Sequence, residues 1–396
     1  MGKPIIVVVG TRPDALKLIL LYQLFKQAGI PTLLCSTQQH KQLLDDVFTL
    51  FDVKPDITLD VMRENQTLDY LTAAILQKTS AFFSSVAPRL VIVQGDTTTS
   101  FAAALAAFYL KIPVAHVEAG LRTGNLAAPF PEELNRIFIS KLSSFHFAPT
   151  PTNVLNLLKE GVPGDTVFCV GNTIVDALHH ITEQIKQNAL PIDPVVKKIV
   201  KQSTSEHKRL VLLTMHRRES FDGGIARVLK TIKSFAQEHP DVLFFFPTHP
   251  NPNVQQAVAD TNLASQGNVI CHTPLQYTDL IYVLTATSLV ITDSGGIQEE
   301  AVSLGKPVLI LREETERIEA IWENLGILIG TNEQKLKTAL IDWIGKPVRS
   351  QQKFLYGTGD TCKKILQILI NQDTLFVPEE LAAFNKTCNT ERSSLL

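Results

Sequence analysis

Between Ser288 and Glu300 the chain reads SLVITDSGGIQEE: an apolar run ending in Asp293, a Ser294-Gly295-Gly296 turn, then a pattern that starts a helix. Adjacent glycines let backbone N–H groups approach an anion closely, and the helix N-terminus behind them adds favourable partial charge. Glu300, about one helical turn further on, can accept hydrogen bonds from a sugar hydroxyl. The first half of the chain contributes different groups: GTRPD with Lys17, QGDTTTS, HVEAGLRT and PFPEELNR. Together they point to a negatively charged nucleotide conjugate held between two α/β domains. An isolated SGG is an ordinary turn as often as a binding loop; its place between strand and helix patterns favours binding.

Such groups need rigid supports, and the sequence alternates accordingly. IIVVVG at 5–10 reads as a buried strand followed by the helical run DALKLILLYQLFKQAG. TLLCST at 32–37, RLVIVQGD at 89–96, PVAHVEAG at 113–120, FHFAPT at 145–150 and TVFCVG at 166–171 continue the strands, with a helical segment near 67–85. Val/Ile-rich strands separated by helices favour a parallel sheet covered on both faces. Ligands of such sheets sit beyond the C-terminal strand ends, where Arg12, Asp96 and Glu118 follow. RLVLLTMHR, VLFFFPTH, NVICHT, SLVITDSGG and KPVLILRE repeat the rhythm, with a helix near 223–238, and GTNEQKLKTALIDW and DTCKKILQILI read as helices. The expected division is a first domain over 1–175, an interdomain region over 176–208, a second domain over 209–371 and a loosely organised tail over 372–396.

Composition excludes several classes. With 396 residues, 45% hydrophobic and 19% charged, the chain can bury two cores. A net charge of -2 offers no broad basic field for nucleic acid. Five cysteines without metal-ligand or disulfide-rich spacing favour a reducing, cytoplasmic setting. IIVVV is too short for a secretory signal, and FAAALAAFYL reads as a buried helix, so no membrane insertion is expected. GTRPDALK lacks the GxGxxG fingerprint of a dinucleotide turn. No cofactor and no metal are expected.

The ordered set GTRPD with Lys17, QGDTTT, HVEAGLRTG, PFPEELNR, GNTIVDAL, HRRES, HPNPNV and TDSGGIQEE resembles the non-hydrolysing UDP-N-acetylglucosamine 2-epimerases across roughly residues 4–370. The resemblance implies two Rossmann-like domains flanking a central cleft, the GT-B architecture of many nucleotide-sugar glycosyltransferases. It also implies a homodimer and a role in cell-surface polysaccharide biosynthesis. The implied reaction interconverts UDP-N-acetylglucosamine and UDP-N-acetylmannosamine. UDP leaves C1 as a base removes the C2 proton, and a 2-acetamidoglycal is reprotonated from the other face. Asp96, Glu118 and Glu132 match the family's acid/base carboxylates. Arg12, Lys17 and His216 are expected at the leaving diphosphate, and Arg136 is expected to organise Glu132 across one helical turn. Ser294, Gly295 and Gly296 match the diphosphate turn, Glu300 the ribose-binding acid, and Arg317 an arginine reaching toward the ligand. Arg217 is a further binding candidate, with Glu219 as its pairing partner.

The sequence also departs from the family pattern. Ile318 replaces a proline, Leu280 a phenylalanine near the base, Met215 a small residue, Pro250 a leucine, and FLYGTGD the usual NPYGDG. Gln39, Gln42, Arg217 and His249 match a second, regulatory ligand site, but Ala74 stands where that site has an arginine. Weak activation by UDP-N-acetylglucosamine is therefore expected, unless Arg63 supplies the missing cation. Alternatives are a hydrolysing 2-epimerase, an epimerase for a modified UDP-amino sugar, a glycosyltransferase, or a sensor that binds without turnover.

Overall fold

The computed structural model describes residues 2–39, 41–63, 66–216, 223–345 and 354–372. They form two compact units, one of Met1–Ala177 with the chain from Tyr356 onward, the other of Leu178–Leu355.

The first unit carries β1 (Ile5–Val9), β2 (Thr32–Ser36), β3 (Ile57–Thr58), β4 (Leu90–Gln94), β5 (Val114–Val117), β6 (Phe145–Ala148) and β7 (Val167–Cys169). They pair in parallel in the order β3-β2-β1-β4-β5-β6-β7. Between them run α1 (Arg12–Gln27), α2 (Lys41–Leu50), α3 (Leu68–Val86), α4 (Thr98–Tyr109), α5 (Glu132–Leu142) and α6 (Pro151–Lys159). β1 is IIVVV with every residue buried, as a central strand covered by helices on both faces requires. α1 starts where Thr11 and Asp14 cap each other's backbone and Pro13 occupies the first turn. α4 buries Ala103, Ala104, Ala106 and Ala107 in the core with Ile6, Val8, Val91 and Val93. The expectation of a wholly buried α4 fails at its end, where Phe108 and Tyr109 are exposed.

α7 (Thr173–Lys186) spans the boundary between the units. The second unit contains β8 (Arg209–Thr214), β9 (Val242–Pro247), β10 (Val269–His272), β11 (Leu289–Thr292), β12 (Val308–Ile310) and β13 (Gly326–Leu328). Their parallel order is β10-β9-β8-β11-β12-β13. Its helices are α8 (Pro194–Ser205), α9 (Gly224–Glu238), α10 (Pro252–Thr261), α11 (Tyr277–Ala286), α12 (Gly295–Ser303), α13 (Glu319–Trp322) and α14 (Glu333–Ile344). Val211, Leu213, Phe244, Phe246, Leu289 and Ile291 centre its own core.

The last helix, α15 (Thr361–Ile370), corrects the sequence-based division. It belongs to the first unit, packed on α1, and not to a second domain ending at 371. The reason is local: Asp176 at the start of α7 accepts from the N–H groups of Thr361 (3.2 Å) and Cys362 (2.9 Å), capping α15. The expected interdomain stretch 176–208 is likewise largely ordered: α8 packs on α11 and β8 inside the second unit.

In both sheets the strand order reverses once, at β1/β4 and at β8/β11, the points where doubly wound sheets open a crevice at their carboxyl ends. The chemistry-bearing motifs emerge at those two places. No helix of the described residues is long and apolar enough to cross a membrane.

Candidate active site

In the first unit, adjacent strands β4 and β5 lead into Asp96 and Glu118 in the turns that follow them. The pairing of Gln94 with Val117 sets Glu118 beside Gly95, where an added Cβ would lie 3.3 Å from Glu118 Oε2. Glu118 holds a left-handed φ of 65° and is buried. Three donors from three elements meet its carboxylate. Lys17 Nζ of α1 lies 2.5 Å from Oε1, the Asn172 amide donates to Oε1 at 2.9 Å, and the Gln94 amide donates to Oε2. Lys17 is itself buried, so expectation and structure differ in emphasis: this cation is engaged by Glu118.

Asp96 is more open, with its side chain 22% exposed, and accepts from the guanidinium of Arg136. The Asn135 amide fixes the Asp96 carbonyl at 2.9 Å. Arg136 also donates to Glu133 Oε2 at 3.1 Å, and the other oxygen of Glu133 accepts from Thr123 N (3.0 Å) and Gly124 N (2.9 Å). Arg136, expected to organise Glu132, thus bonds Asp96 and Glu133 as well. Glu132 is half-buried at the first position of α5. On a helix the residues three and four apart are both neighbours, and the fully buried Glu133 meets the guanidinium from one turn back.

Two buried groups that sequence reading passed over brace these loops. His116 of β5 donates through Nε2 to the Gly95 carbonyl at 2.7 Å, and burial pushes its pKa down to about 3, so the ring is neutral. The peptide before Asp96 is thereby tied to the sheet. Asp14 accepts from Gly10 N and Thr11 N, both at 3.0 Å, and from Thr97 at 3.3 Å, with burial raising its pKa to about 6. It joins the loop after β1, which carries half-buried Arg12, to the loop after β4. Gln39 accepts from Thr99 at 2.9 Å, which places it against QGDTTTS, while Gln42 is exposed on α2. Ala74 packs in a small apolar cluster with Val61, Leu71, Ile75 and Ala102, and the Arg63 guanidinium lies over the Tyr70 ring at 4.6 Å.

In the second unit the register Thr214↔Thr292 carries the chain from β8 into His216 and from β11 into Asp293. Asp293 is fully buried; its Oδ2 accepts from His216 N at 2.8 Å, and its Oδ1 lies 2.9 Å from His216 Nδ1. The His249 ring stacks on His216 with centroids 5.8 Å apart. Burial, then the neighbouring His216, hold the pKa of His249 below the usual histidine range. Arg217 and Glu219 lie outside the described residues.

Ser294 precedes α12 and donates its N–H to Thr292 Oγ1 at 3.0 Å. The two glycines after it differ. A Cβ on Gly295 would sit 2.5 Å from Arg317 Nη1, whereas one on Gly296 meets nothing within 4 Å. Arg317 is held by Glu299 at 2.8 Å and by Glu316, which also accepts from Arg312 at 2.8 Å. The bareness of Gly295 therefore serves a buried guanidinium, while the space beside Gly296 stands open. Gly295→Ala should lower stability by about 1–3 kcal/mol through overpacking. Gly296→Ala should leave thermal unfolding unchanged and weaken UDP binding at least about tenfold, or about 1.4 kcal/mol; calorimetry giving undiminished UDP affinity would remove Gly296 from the site. Glu300 is buried on α12 and Leu280 half-buried on α11. Ile318 holds a φ of -66°, the value a proline ring imposes, so replacement of that proline leaves the backbone conformation in place.

A family model described as UDP-N-acetylglucosamine 2-epimerase matches residues 23–370. A Campylobacter jejuni protein named UDP-N-acetylglucosamine 2-epimerase is 41% identical over 376 residues, 93% of this chain and 98% of that one. The solved structure of the Neisseria meningitidis UDP-GlcNAc 2-epimerase bound to UDP-GlcNAc is 39% identical, with a TM-score of 0.85 over 93% of this chain and 100% of that one. The Methanocaldococcus jannaschii UDP-GlcNAc 2-epimerase in complex with UDP-GlcNAc and UDP is 30% identical, with a TM-score of 0.80 over 92% and 99%.

Proposed function

The chain belongs to the UDP-N-acetylglucosamine 2-epimerase family, and on that premise we propose that it interconverts UDP-N-acetylglucosamine and UDP-N-acetylmannosamine without releasing the sugar. The observation that supports this most directly is a pair of carboxylates on adjacent strand ends, each with its own buried cation: Asp96 with Arg136, Glu118 with Lys17. Such pairing places two carboxylates near each other with a cation for each, and removal of a proton from one face of C2 and its return to the other require two such groups. Asp96, Glu118 and Glu132 form the acid/base set. As the C2 proton leaves, the C1–O bond to UDP breaks and a 2-acetamidoglycal forms. Protonation at C2 from the opposite face and return of UDP to C1 complete the inversion. Arg12 and His216 meet the diphosphate charge, and Lys17 acts through Glu118. The Ser294–Gly296 turn, Glu300, Leu280 and, through that turn, Arg317 bind UDP.

The enzyme works as a homodimer in a reducing cytoplasm and supplies an amino-sugar nucleotide for surface polysaccharide. Phe108 and Tyr109 of α4 and Leu134 and Phe138 of α5 expose an apolar face suited to a second copy, and Cys35, Cys169, Cys271 and Cys362 are free thiols. A single-chain mass of 43.8 kDa by light scattering excludes the dimer. With Ala74 in an apolar cluster and Arg63 over Tyr70, activation by UDP-N-acetylglucosamine is weak.

Chromatography of both nucleotide sugars tests the reaction. Equilibration from either side, linear from the start with UDP-N-acetylmannosamine, and deuterium entering C2 in heavy water are expected. Stoichiometric release of UDP and free hexosamine would replace this reading with hydrolysis. Failure with both isomers would point to a modified sugar.

A further inference from the structure

We propose that His116 and Asn135 are positioning residues for Asp96, clamping the peptide on each side of it so that its carboxylate meets the sugar from a fixed backbone. The catalytic half of this inference rests on the epimerase reading; the clamp itself does not. The ladder between β4 and β5 runs on to Gly95, whose N–H donates to the Val117 carbonyl at 2.9 Å, and there the chain turns with a left-handed φ of 65°. Beyond that turn the support comes from side chains. His116 Nε2 donates to the Gly95 carbonyl at 2.7 Å, and the Asn135 amide donates to the Asp96 carbonyl at 2.9 Å. Both donors are buried, and they come from different elements, β5 and α5. Only χ1 and χ2 separate the Asp96 backbone from its carboxylate, so once both flanking peptides are fixed the Arg136 guanidinium selects its direction.

The ring of His116 can make its bond in one form only. A carbonyl oxygen accepts and cannot donate, so Nε2 carries the proton. Nδ1 is buried and meets no hydrogen-bond partner among the described residues. A second proton there would be a stranded donor in the interior, and burial holds the pKa down to about 3. His116 is therefore a fixed neutral donor. Glu118 is held in another way, by three donors on the carboxylate itself. The Asp96 side chain, 22% exposed, leans on its backbone instead.

Spectra of 15N-histidine-labelled wild-type protein read the clamp without any substitution: His116 should show a protonated Nε2 and a bare Nδ1 at neutral pH. His116→Leu removes the donor, and His116→Gln returns an amide N–H at the reach of Nε2. Turnover should fall on the order of 10–10²-fold in His116→Leu and in Asn135→Ala, the loss expected when a reacting group is slightly misplaced. In His116→Gln it should return to within about threefold of wild type, because the geometry is restored. UDP affinity should stay within a few-fold throughout, since the Ser294–Gly296 turn belongs to the other unit. Added to Asp96→Asn, His116→Leu should cost little further turnover, because it acts through the group already removed. The spectra and Asn135→Ala decide the matter even where the leucine variant does not fold. A protonated Nδ1 in the wild type, undiminished turnover in His116→Leu or Asn135→Ala, an equal loss in His116→Gln, or additive losses in the double variant would overturn the proposal. The expected ring form in a protein that does not interconvert the two isomers would leave the clamp intact and sink only the epimerase reading.

Discussion

Asp96→Asn is expected to lower kcat on the order of 10²–10⁴-fold, the usual loss when a positioned acid or base is removed, while UDP affinity changes by no more than a few-fold. The structure gives reasons for expecting the fold to survive. Asparagine still offers Arg136 an oxygen, and Arg136 keeps Glu133 as its second partner. The Asn135 bond to residue 96 uses the backbone carbonyl and is untouched. Arg136 is buried, but Glu133 remains to balance its charge. Steady-state rates set beside calorimetric UDP titrations separate chemistry from binding. Turnover within threefold of wild type would take Asp96 out of the acid/base set.

Lys17→Met is expected to destabilise the protein by about 3–5 kcal/mol, because it leaves a buried carboxylate without its ion-pair partner. Both side chains are nearly sealed, 5% and 4% exposed. Asn172 and Gln94 still donate to Glu118, which favours the lower end of that range. Glu118→Gln creates the converse problem: an amide NH2 among three donors. The double variant Lys17→Met/Glu118→Gln should therefore regain part of the single-variant loss. Urea unfolding of the three proteins, followed by a probe in the first unit, gives the comparison. A Lys17→Met midpoint equal to wild type would mean the pair is far better hydrated than its burial implies. Activity should be lost in all three, since Glu118 loses either its charge or its brace.

Periodicity carried most of the architecture. Runs such as IIVVVG, RLVIVQGD and PVAHVEAG favoured buried parallel strands, which places Arg12, Asp96 and Glu118 just beyond strand ends. Partner choice was not legible, because it is decided by register and by contacts distant in sequence. Nothing in PFPEELNR says that Arg136 faces Glu133, since both acids sit within a turn of it. Asp293 read as the end of a strand, and the bond it accepts from His216 N emerges only once Thr292 pairs with Thr214 across 78 residues. Adjacent glycines likewise read as one anion turn, yet Gly295 is bare for the sake of Arg317, a residue 22 positions later. His116 looked like one strand residue among several in HVEAG. Its contact with the Gly95 carbonyl depends on the alignment of β4 with β5.

The placement of α15 in the first unit has a consequence for how the enzyme is made. The chain leaves that unit at Ala177 and returns to it at Tyr356, whose carbonyl accepts from Asn172 N at 2.7 Å. Asn172 is also the residue whose amide holds Glu118. On the ribosome, the half synthesised first must therefore wait for the segment synthesised last before its central carboxylate is fully braced. A nascent chain stalled before residue 355 carries Asp96, Glu118, Glu132 and the Ser294–Gly296 turn, and still lacks the strap that anchors Asn172. A chain that stops upstream of α15 has Glu118 and Asn172 without the backbone contact from Tyr356 that anchors Asn172.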